Sequence, residues 1–332
     1  MSATQNDQMS GSSQGNGATK PAVDIVEVAP RDGFQVVKPF IETDLKIRII
    51  EALAASGLKR MEIGAFVSPK AIPQMADITE IMQRVTLPAG LRTAVLVPNR
   101  KGLEMAVEAG VKDIHWVVSV SESHNQNNVR RSVNESLQEL RAAWEGVQRD
   151  DVRVRFNLAT AFDCPFEGRT DESAVFACLD AALAFLPPGE IGIADTTGRA
   201  ATDHVRSLFT SLQERYGPQG VTFAFHGHDT YNLGVANALA AYDAGIRSFD
   251  GAAAGLGGCP FAPGASGNTA TEDLVFAFEH MGVSTGIDLE ALLNAADLAM
   301  TVAPELAAGR IRQVPRARAL SGFGAASQGI AA

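Results

Sequence analysis

The chain has 332 residues, 46% of them apolar, a formal net charge of −10 and three cysteines. The acidic balance, with a pI near 5.1, argues against a nucleic-acid partner, and no apolar run is long enough to span a bilayer. Cys164, Cys178 and Cys259 make no disulfide framework and suit a reducing compartment.

Residues 1–22 open with MSATQNDQMSGSSQGNGATK, which has almost no large apolar side chains and reads as a disordered tail. Apolar, β-branched runs then recur at Asp24–Ala29, Arg60–Phe66, Leu91–Val97, Asp113–Val120, Val152–Ala159, Glu190–Ala194, Val221–His226 and Arg247–Ala252. Each has the length of a buried strand. The stretches between them carry helical signals. Leu45, Ile49 and Leu53 share one face before Gly57. Asn99 can cap a helix running to Gly110. Ser132 and Glu135 have capping-box spacing for a helix to about Gln148. Further helices are expected over Glu172–Phe185, Asp203–Tyr216, Leu233–Ala244, Thr271–Met281, Leu289–Met300 and Pro304–Ile311. Eight strand–helix alternations predict parallel strands with crossover helices, hence an α/β fold of the (β/α)8 TIM-barrel type with extra C-terminal helices. An open doubly wound sheet is the alternative. The barrel and its helices are expected over residues 23–315, with a loose tail over 316–332.

In a barrel, function sits where strands end. The first run ends in PRDGFQ (Arg31, Asp32, Gln35), the second carries Glu62, and the sixth ends in ADTTG (Asp195). The seventh ends in the pair His226 and His228, and the eighth opens into GLGGCP with Cys259, ahead of Asn268. Strand alternation puts Thr222, Ala224, His226 and His228 on one polar face and Val221, Phe223 and Phe225 on an apolar one. A single His-x-His pair is weak evidence for a metal, a lone cysteine is commonly inert core, and Asp32, Glu62 and Asp195 are each compatible with structural roles. Their convergence on one barrel mouth is what favours chemistry.

Asp32, His226, His228 and Asn268 offer two oxygens and two nitrogens, a set suited to six-coordinate Mg²⁺ or Mn²⁺ more than to zinc. Arg31 can stabilise a developing enolate oxygen. Cys259, among glycines, lies on a loop able to close over a ligand, and a modestly tuned thiol can exchange protons near neutrality. Metal, cation and proton shuttle together fit breaking or making a C–C bond beside a hydroxyl. The remaining histidines, His115, His124, His204 and His280, share no spacing and receive no role. No Gly-Lys-Ser/Thr follows the glycine run, so it is not a phosphate loop.

The motifs VEVAPRDGFQ, FVSPKAIPQMAD, HGHDTYNLGVANALAAYDAGI and AGLGGCPFAPGASGNTATEDLV resemble the 3-hydroxy-3-methylglutaryl-CoA lyase family over about Val23 to Val302. The resemblance implies a divalent-metal-dependent TIM barrel that cleaves 3-hydroxy-3-methylglutaryl-CoA, or a close 3-hydroxyacyl-CoA analogue, to acetyl-CoA and acetoacetate or the corresponding 3-oxo acid. It gives Asp32, His226, His228 and Asn268 metal-ligand roles, with Arg31 on the enolate and Cys259 as the loop acid or base. Glu62 and Asp195 match acidic active-site positions, and Gln35 matches a glutamine of the same motif. A homodimer is the family expectation, and the cytosol is the default in the absence of a secretory or transit signature. Lys38 and Asn125 are candidate coenzyme A contacts. Departures from the family pattern fall at Ala29, where glycine is usual, at Val36-Val37, where Asn-Glu is usual, at Ala65, where some members have serine, and at Phe162-Asp163. An apolar Val36-Val37 and a bulky Phe162 near the mouth point to a related hydroxyacyl-CoA. Two other readings are a condensing synthase of the isopropylmalate or homocitrate type and a non-catalytic barrel.

Overall fold

A computed structural model describes residues 22–147, 151–258 and 267–321. Eight parallel strands close into a barrel: Asp24–Glu27, Arg60–Ala65, Arg92–Val97, Asp113–Ser119, Arg153–Ala159, Glu190–Asp195, Thr222–Gly227 and Ser248–Gly251. The first strand pairs with both the second and the eighth, which closes the ring. All eight expected strands are present, with ends that differ from expectation by no more than two residues.

The helices form where capping and periodicity place them. Asn99 accepts a 3.0 Å hydrogen bond from the Gly102 amide and starts Arg100–Glu108. The capping box is made: Ser132 Oγ accepts from Glu135 N at 3.1 Å, and Glu135 Oε2 accepts from Ser132 N at 2.8 Å. The helix it starts spans Val133–Val147. Leu289–Met300 matches its expected bounds. Among the described residues, no helix is long and apolar enough to cross a membrane.

Three features differ from expectation. Pro304–Ile311 is not one helix but two 3-10 turns, Pro304–Leu306 and Ile311–Gln313. Between them the amides of Ala308 and Gly309 bond to Ala254 O, and Asp273 accepts from the amides of Arg310 and Ile311, so tertiary partners replace helical ones. Helices at Ile78–Arg84 and Glu122–Val129 lack a strong sequence signal. The second, ESHNQNNV, is polar up to its last residue, Val129, and is started by its cap, in which Ser121 Oγ accepts from His124 N at 3.1 Å.

The seventh strand has the expected two faces. Phe225 points outward, with ring centroids 5.9 Å from Phe209 and 6.3 Å from Phe162, and Phe223 packs against Tyr216. Phe162 is 1% exposed. It therefore belongs to the core behind the strand and not to the barrel mouth, which removes it from substrate selection.

The opposite face looks into a polar lumen. Near the strands' N-terminal ends, Arg60 reaches across the barrel to Glu190 at 2.6 Å and to Asp24 at 3.1 Å. Further up, both terminal nitrogens of Arg155 bind both oxygens of Asp250, at 2.8 and 2.9 Å. Such bidentate pairing is the geometry that best offsets the cost of burying ions. A column of compensated charge thus fills the lumen beneath the mouth.

Candidate active site

Asp32 is carried by a π-helical turn, Ala29–Gly33, directly after the first strand. Val28 O accepts from the amides of both Arg31 (3.1 Å) and Asp32 (2.7 Å), which folds the turn back over the barrel end. Gly33 lets this turn meet the loop after the eighth strand, since a Cβ there would lie 3.0 Å from Leu256 Cβ.

His226 and His228 stand at the end of the seventh strand, with ring centroids 5.3 Å apart. Asn268 reaches them because its segment bridges antiparallel to His228. The Thr269 amide and hydroxyl both donate to Gly227 O, at 2.9 and 2.8 Å. Gly257, at φ +139°, is required beside it: any Cβ would strike the Asn268 amide.

These elements bring Asp32, His226 and His228 together, with one ligand atom from each lying within 4.8 Å of the others. Asn268 Nδ2 donates to Asp32 Oδ2 at 2.7 Å, and Gln35 Nε2 donates to Oδ1 at 2.7 Å. Arg31 pairs with Asp32 and, through Nε, with Glu62 at 2.6 Å. Four of the expected ligands and three of their expected neighbours therefore form one connected cluster.

The chemistry of the donors fits a cation. His228 Nδ1 and Asn268 Oδ1 are buried with no hydrogen-bond partner among the described residues, and such buried polar atoms call for an explanation. A divalent ion held by Asp32, His226, His228 and Asn268 would supply one. Burial pushes the Asp32 carboxyl up, but the Arg31 guanidinium and then the two imidazoles outweigh it and hold the group below the ordinary carboxylate range. Burial, reinforced by His226, lowers His228 to about 4, leaving a neutral imidazole with a lone pair at neutral pH. Glu62 is likewise depressed: its burial is outweighed by Arg31 and His115.

Other expected site residues lie elsewhere. Both carboxylate oxygens of Asp195 cap its own loop, accepting from the amides of Arg199 and Ala200 at 3.1 Å. Burial raises this group to about 6, partly offset by those amides. It pairs in register with Gly227, one residue past the His226 level, so it shapes the loop and does not join the cluster. Asn125 is 1% exposed. Its amide donates to Arg131 O, Ser132 O and Ser136 Oγ, and its carbonyl accepts from Ser119 N, so no part of it is left for a coenzyme. Lys38 is exposed on the segment after the first-strand turn. Cys259 lies outside the described residues. Val36 is half-buried on the same side as Gly258, whose Cβ, if built, would sit 4.0 Å from Val36 Cγ2. Val37 is buried in the core.

Three residues of this neighbourhood were not legible as site residues. His115 Nδ1 meets Glu62 Oε1 at 3.0 Å. Asp250 Oδ2 meets His226 Nδ1 at 3.2 Å, and Arg155 clamps Asp250 from behind. Their sequence signal is position alone: each lies on the inward face of a strand.

The chain is similar to known proteins over most of its length. The HMGL-like family model matches residues 22–299. The chain is 42% identical to the (R)-citramalyl-CoA lyase of Chloroflexus aurantiacus, covering 83% of this chain and 89% of that protein. It is 39% identical to the hydroxymethylglutaryl-CoA lyase YngG of Bacillus subtilis, covering 82% and 91%. The crystal structure of the B. subtilis HMG-CoA lyase superposes with a TM-score of 0.84 at 37% identity, covering 89% of this chain and 98% of that one. An HMG-CoA lyase from Acinetobacter baumannii, solved with coenzyme A and 3-methylmalate, superposes at 0.83 with 38% identity, covering 89% and 95%. With a matching family model, relatives near 40% identity and a shared barrel, the chain belongs to the HMGL-like family and is a carbon–carbon lyase.

Proposed function

We propose that this lyase cleaves a 3-hydroxyacyl-CoA of the 3-hydroxy-3-methylglutaryl type, releasing acetyl-CoA and a 3-oxo acid, acetoacetate in the parent case. The observation that carries the reading is the meeting of Asp32, His226 and His228 within one coordination sphere, beside the orphaned Asn268 carbonyl. These four residues would hold Mg²⁺ or Mn²⁺, hard cations that take oxygen and imidazole donors. When bound, the ion would acidify the substrate hydroxyl and polarise its oxygens.

The chain's own groups account for the rest. A general base at the mouth takes the 3-hydroxyl proton as the C2–C3 bond breaks. The C3 oxygen becomes a ketone, and the bonding pair passes into the thioester as an enolate. Arg31, held as a cation against Glu62 and Asp32, faces that developing charge. Cys259 delivers the proton to C2. The alternative, a condensing synthase of the isopropylmalate or homocitrate type, would join acetyl-CoA to a 2-oxo acid; the relatives named as lyases favour cleavage.

A second substrate is favoured by one observation. Val36, at the mouth beside Gly258, is apolar where the hydroxymethylglutaryl-CoA lyase motif carries a polar residue. Citramalyl-CoA, the substrate named for the 42% identical relative, has an acyl chain one methylene shorter and breaks by the same chemistry. Homodimer formation is part of this reading by family resemblance. Cytosolic location is supported by the free, buried thiols of Cys164 and Cys178. The test is a Mg²⁺- or Mn²⁺-supplemented assay of acetyl-CoA release across hydroxymethylglutaryl-CoA, citramalyl-CoA and longer analogues. Release from none of them, or acetyl-CoA consumption with a 2-oxo acid accompanied by release of free CoA, overturns the proposal.

A further inference from the structure

We infer that Asp250 is a positioning residue that fixes the His226 imidazole in its Nδ1–H tautomer, so that Nε2 presents a lone pair to the cation site. The inference rests on the metal-site reading above and concerns a residue outside the ligand set.

Asp250 lies on the eighth strand, directly in register with His226 on the seventh. In neighbouring parallel strands, residues in register point to the same face, so both side chains enter the lumen. Asp250 Oδ2 sits 3.2 Å from His226 Nδ1. An ionised carboxylate can only accept, so Nδ1 must be the nitrogen that carries the proton. The imidazole's other nitrogen is then free of hydrogen.

What keeps Asp250 an acceptor is Arg155. Its two terminal nitrogens lie 2.8 and 2.9 Å from the two Asp250 oxygens, with both side chains under 10% exposed. Arg155 is itself backed by Glu190 at 3.4 Å, which Arg60 holds from below. Oδ2 therefore receives one hydrogen bond from Arg155 and one from His226, and the guanidinium fork sets the plane of the carboxylate. A histidine ligand whose second nitrogen is pinned by a carboxylate has a fixed tautomer and ring orientation. His228 has no such partner on Nδ1 among the described residues, so the two imidazoles are not equivalent. The lumen charge column thus ends at the metal site, and it orients one ligand from below.

Two measurements test this. In the full-length wild-type chain with ring-¹⁵N histidine, freed of metal and held near pH 8, the His226 signal, identified by its loss in His226→Gln, is expected as the Nδ1–H tautomer. Titration with Mn²⁺ followed by electron paramagnetic resonance is expected to show affinity weakened about 10–100-fold in Asp250→Asn. Removing one member of a buried pair can unfold a protein, so the charge-balanced Arg155→Gln/Asp250→Asn double variant is measured beside it, with the same loss expected. An Nε2–H tautomer in wild type, or a double variant that binds Mn²⁺ as tightly as wild type, overturns the role of Asp250 while leaving the metal site standing. Wild-type protein that binds no Mn²⁺ overturns the metal reading and this inference together.

Discussion

Arg31 Nε lies 2.6 Å from Glu62 Oε2, and the Glu62 side chain is 1% exposed. The carboxylate's other oxygen is taken by His115 at 3.0 Å, so Glu62 cannot swing away from the guanidinium. Asp32 holds the same guanidinium from the next residue. Arg31 is therefore fixed before any substrate arrives, which is the condition under which a cation stabilises a transition state without reorganising.

That fixation predicts the outcome of Arg31→Lys. A lysine keeps the charge but has no planar fork to satisfy two carboxylates at once. Turnover is expected to fall about 10²–10³-fold, the scale seen when one preorganised donor to a developing oxyanion is lost. Mn²⁺ affinity is expected to change by a smaller factor, because Arg31 is not a ligand. Steady-state kinetics alongside a metal titration checks this, and near-wild-type turnover would remove Arg31 from the enolate role.

A second prediction concerns pH. Glu27 is fully buried beneath the site and accepts from the amides of Ala29 and Ala253 at 2.8 and 2.9 Å and from the Thr271 hydroxyl at 2.7 Å. Burial raises its carboxyl to about 7, with the Thr271 hydroxyl and those amides pulling the other way. The folded state thus binds the proton more tightly than the unfolded state, where the pKa is about 4.5. The stabilisation is complete below that lower value and is lost as pH rises towards about 7. Glu27→Gln keeps an acceptor for the two amides, and its amide group can donate to the Thr271 oxygen. Between pH 4.5 and 7.5, the variant's melting temperature is expected to decline less steeply than that of wild type. Parallel slopes in thermal unfolding would count against a titrating Glu27.

How much of this was readable in advance divides cleanly by face. The outward sides of the strands are apolar runs, and those runs located all eight strands and with them the barrel. Residues that end strands, such as Asp32, His226 and Asn268, stand out because polar groups there interrupt the apolar pattern. The lumen does not stand out. Arg153, Arg155 and Asn157 alternate with apolar neighbours in VRVRFNLA, a pattern shared with any strand that has one wet face. Only barrel closure shows that Arg155 meets Asp250 from three strands away. His115 is silent in the sequence for the same reason, since its partner Glu62 is 53 residues distant. Phe162 misled in the opposite direction: its place in the chain suggested the mouth, and the turn of the loop sent it into the core.

The loop thiol gives a sharper separation of roles. Cys259 is flanked by glycines on its N-terminal side and follows the eighth strand ahead of Asn268, while Asp32, His226 and His228 come from other segments. Cys259→Ala is expected to lower turnover by about two orders of magnitude or more, the usual scale for a positioned acid or base. Mn²⁺ binding should stay nearly intact. If turnover is unchanged, the proton delivered to C2 comes from another group.

Substrate choice turns on Val36. It is half-buried and faces the same space as Gly258, whereas Val37 is turned into the core with its carbonyl bound to Gln74 Nε2 at 2.8 Å. Only Val36 can therefore be exchanged without disturbing the fold. An asparagine there would offer hydrogen bonds to the distal part of the longer acyl chain, where valine offers only methyl groups. One added methylene alters binding by about 1–3 kcal/mol in a closed apolar pocket. Val36→Asn is accordingly expected to shift the kcat/KM ratio of hydroxymethylglutaryl-CoA over citramalyl-CoA upward by about tenfold. Measuring both substrates on both proteins under the same metal conditions decides the matter. A ratio that stays within about twofold would mean that Val36 does not read the acyl chain, and that discrimination lies with residues deeper in the barrel.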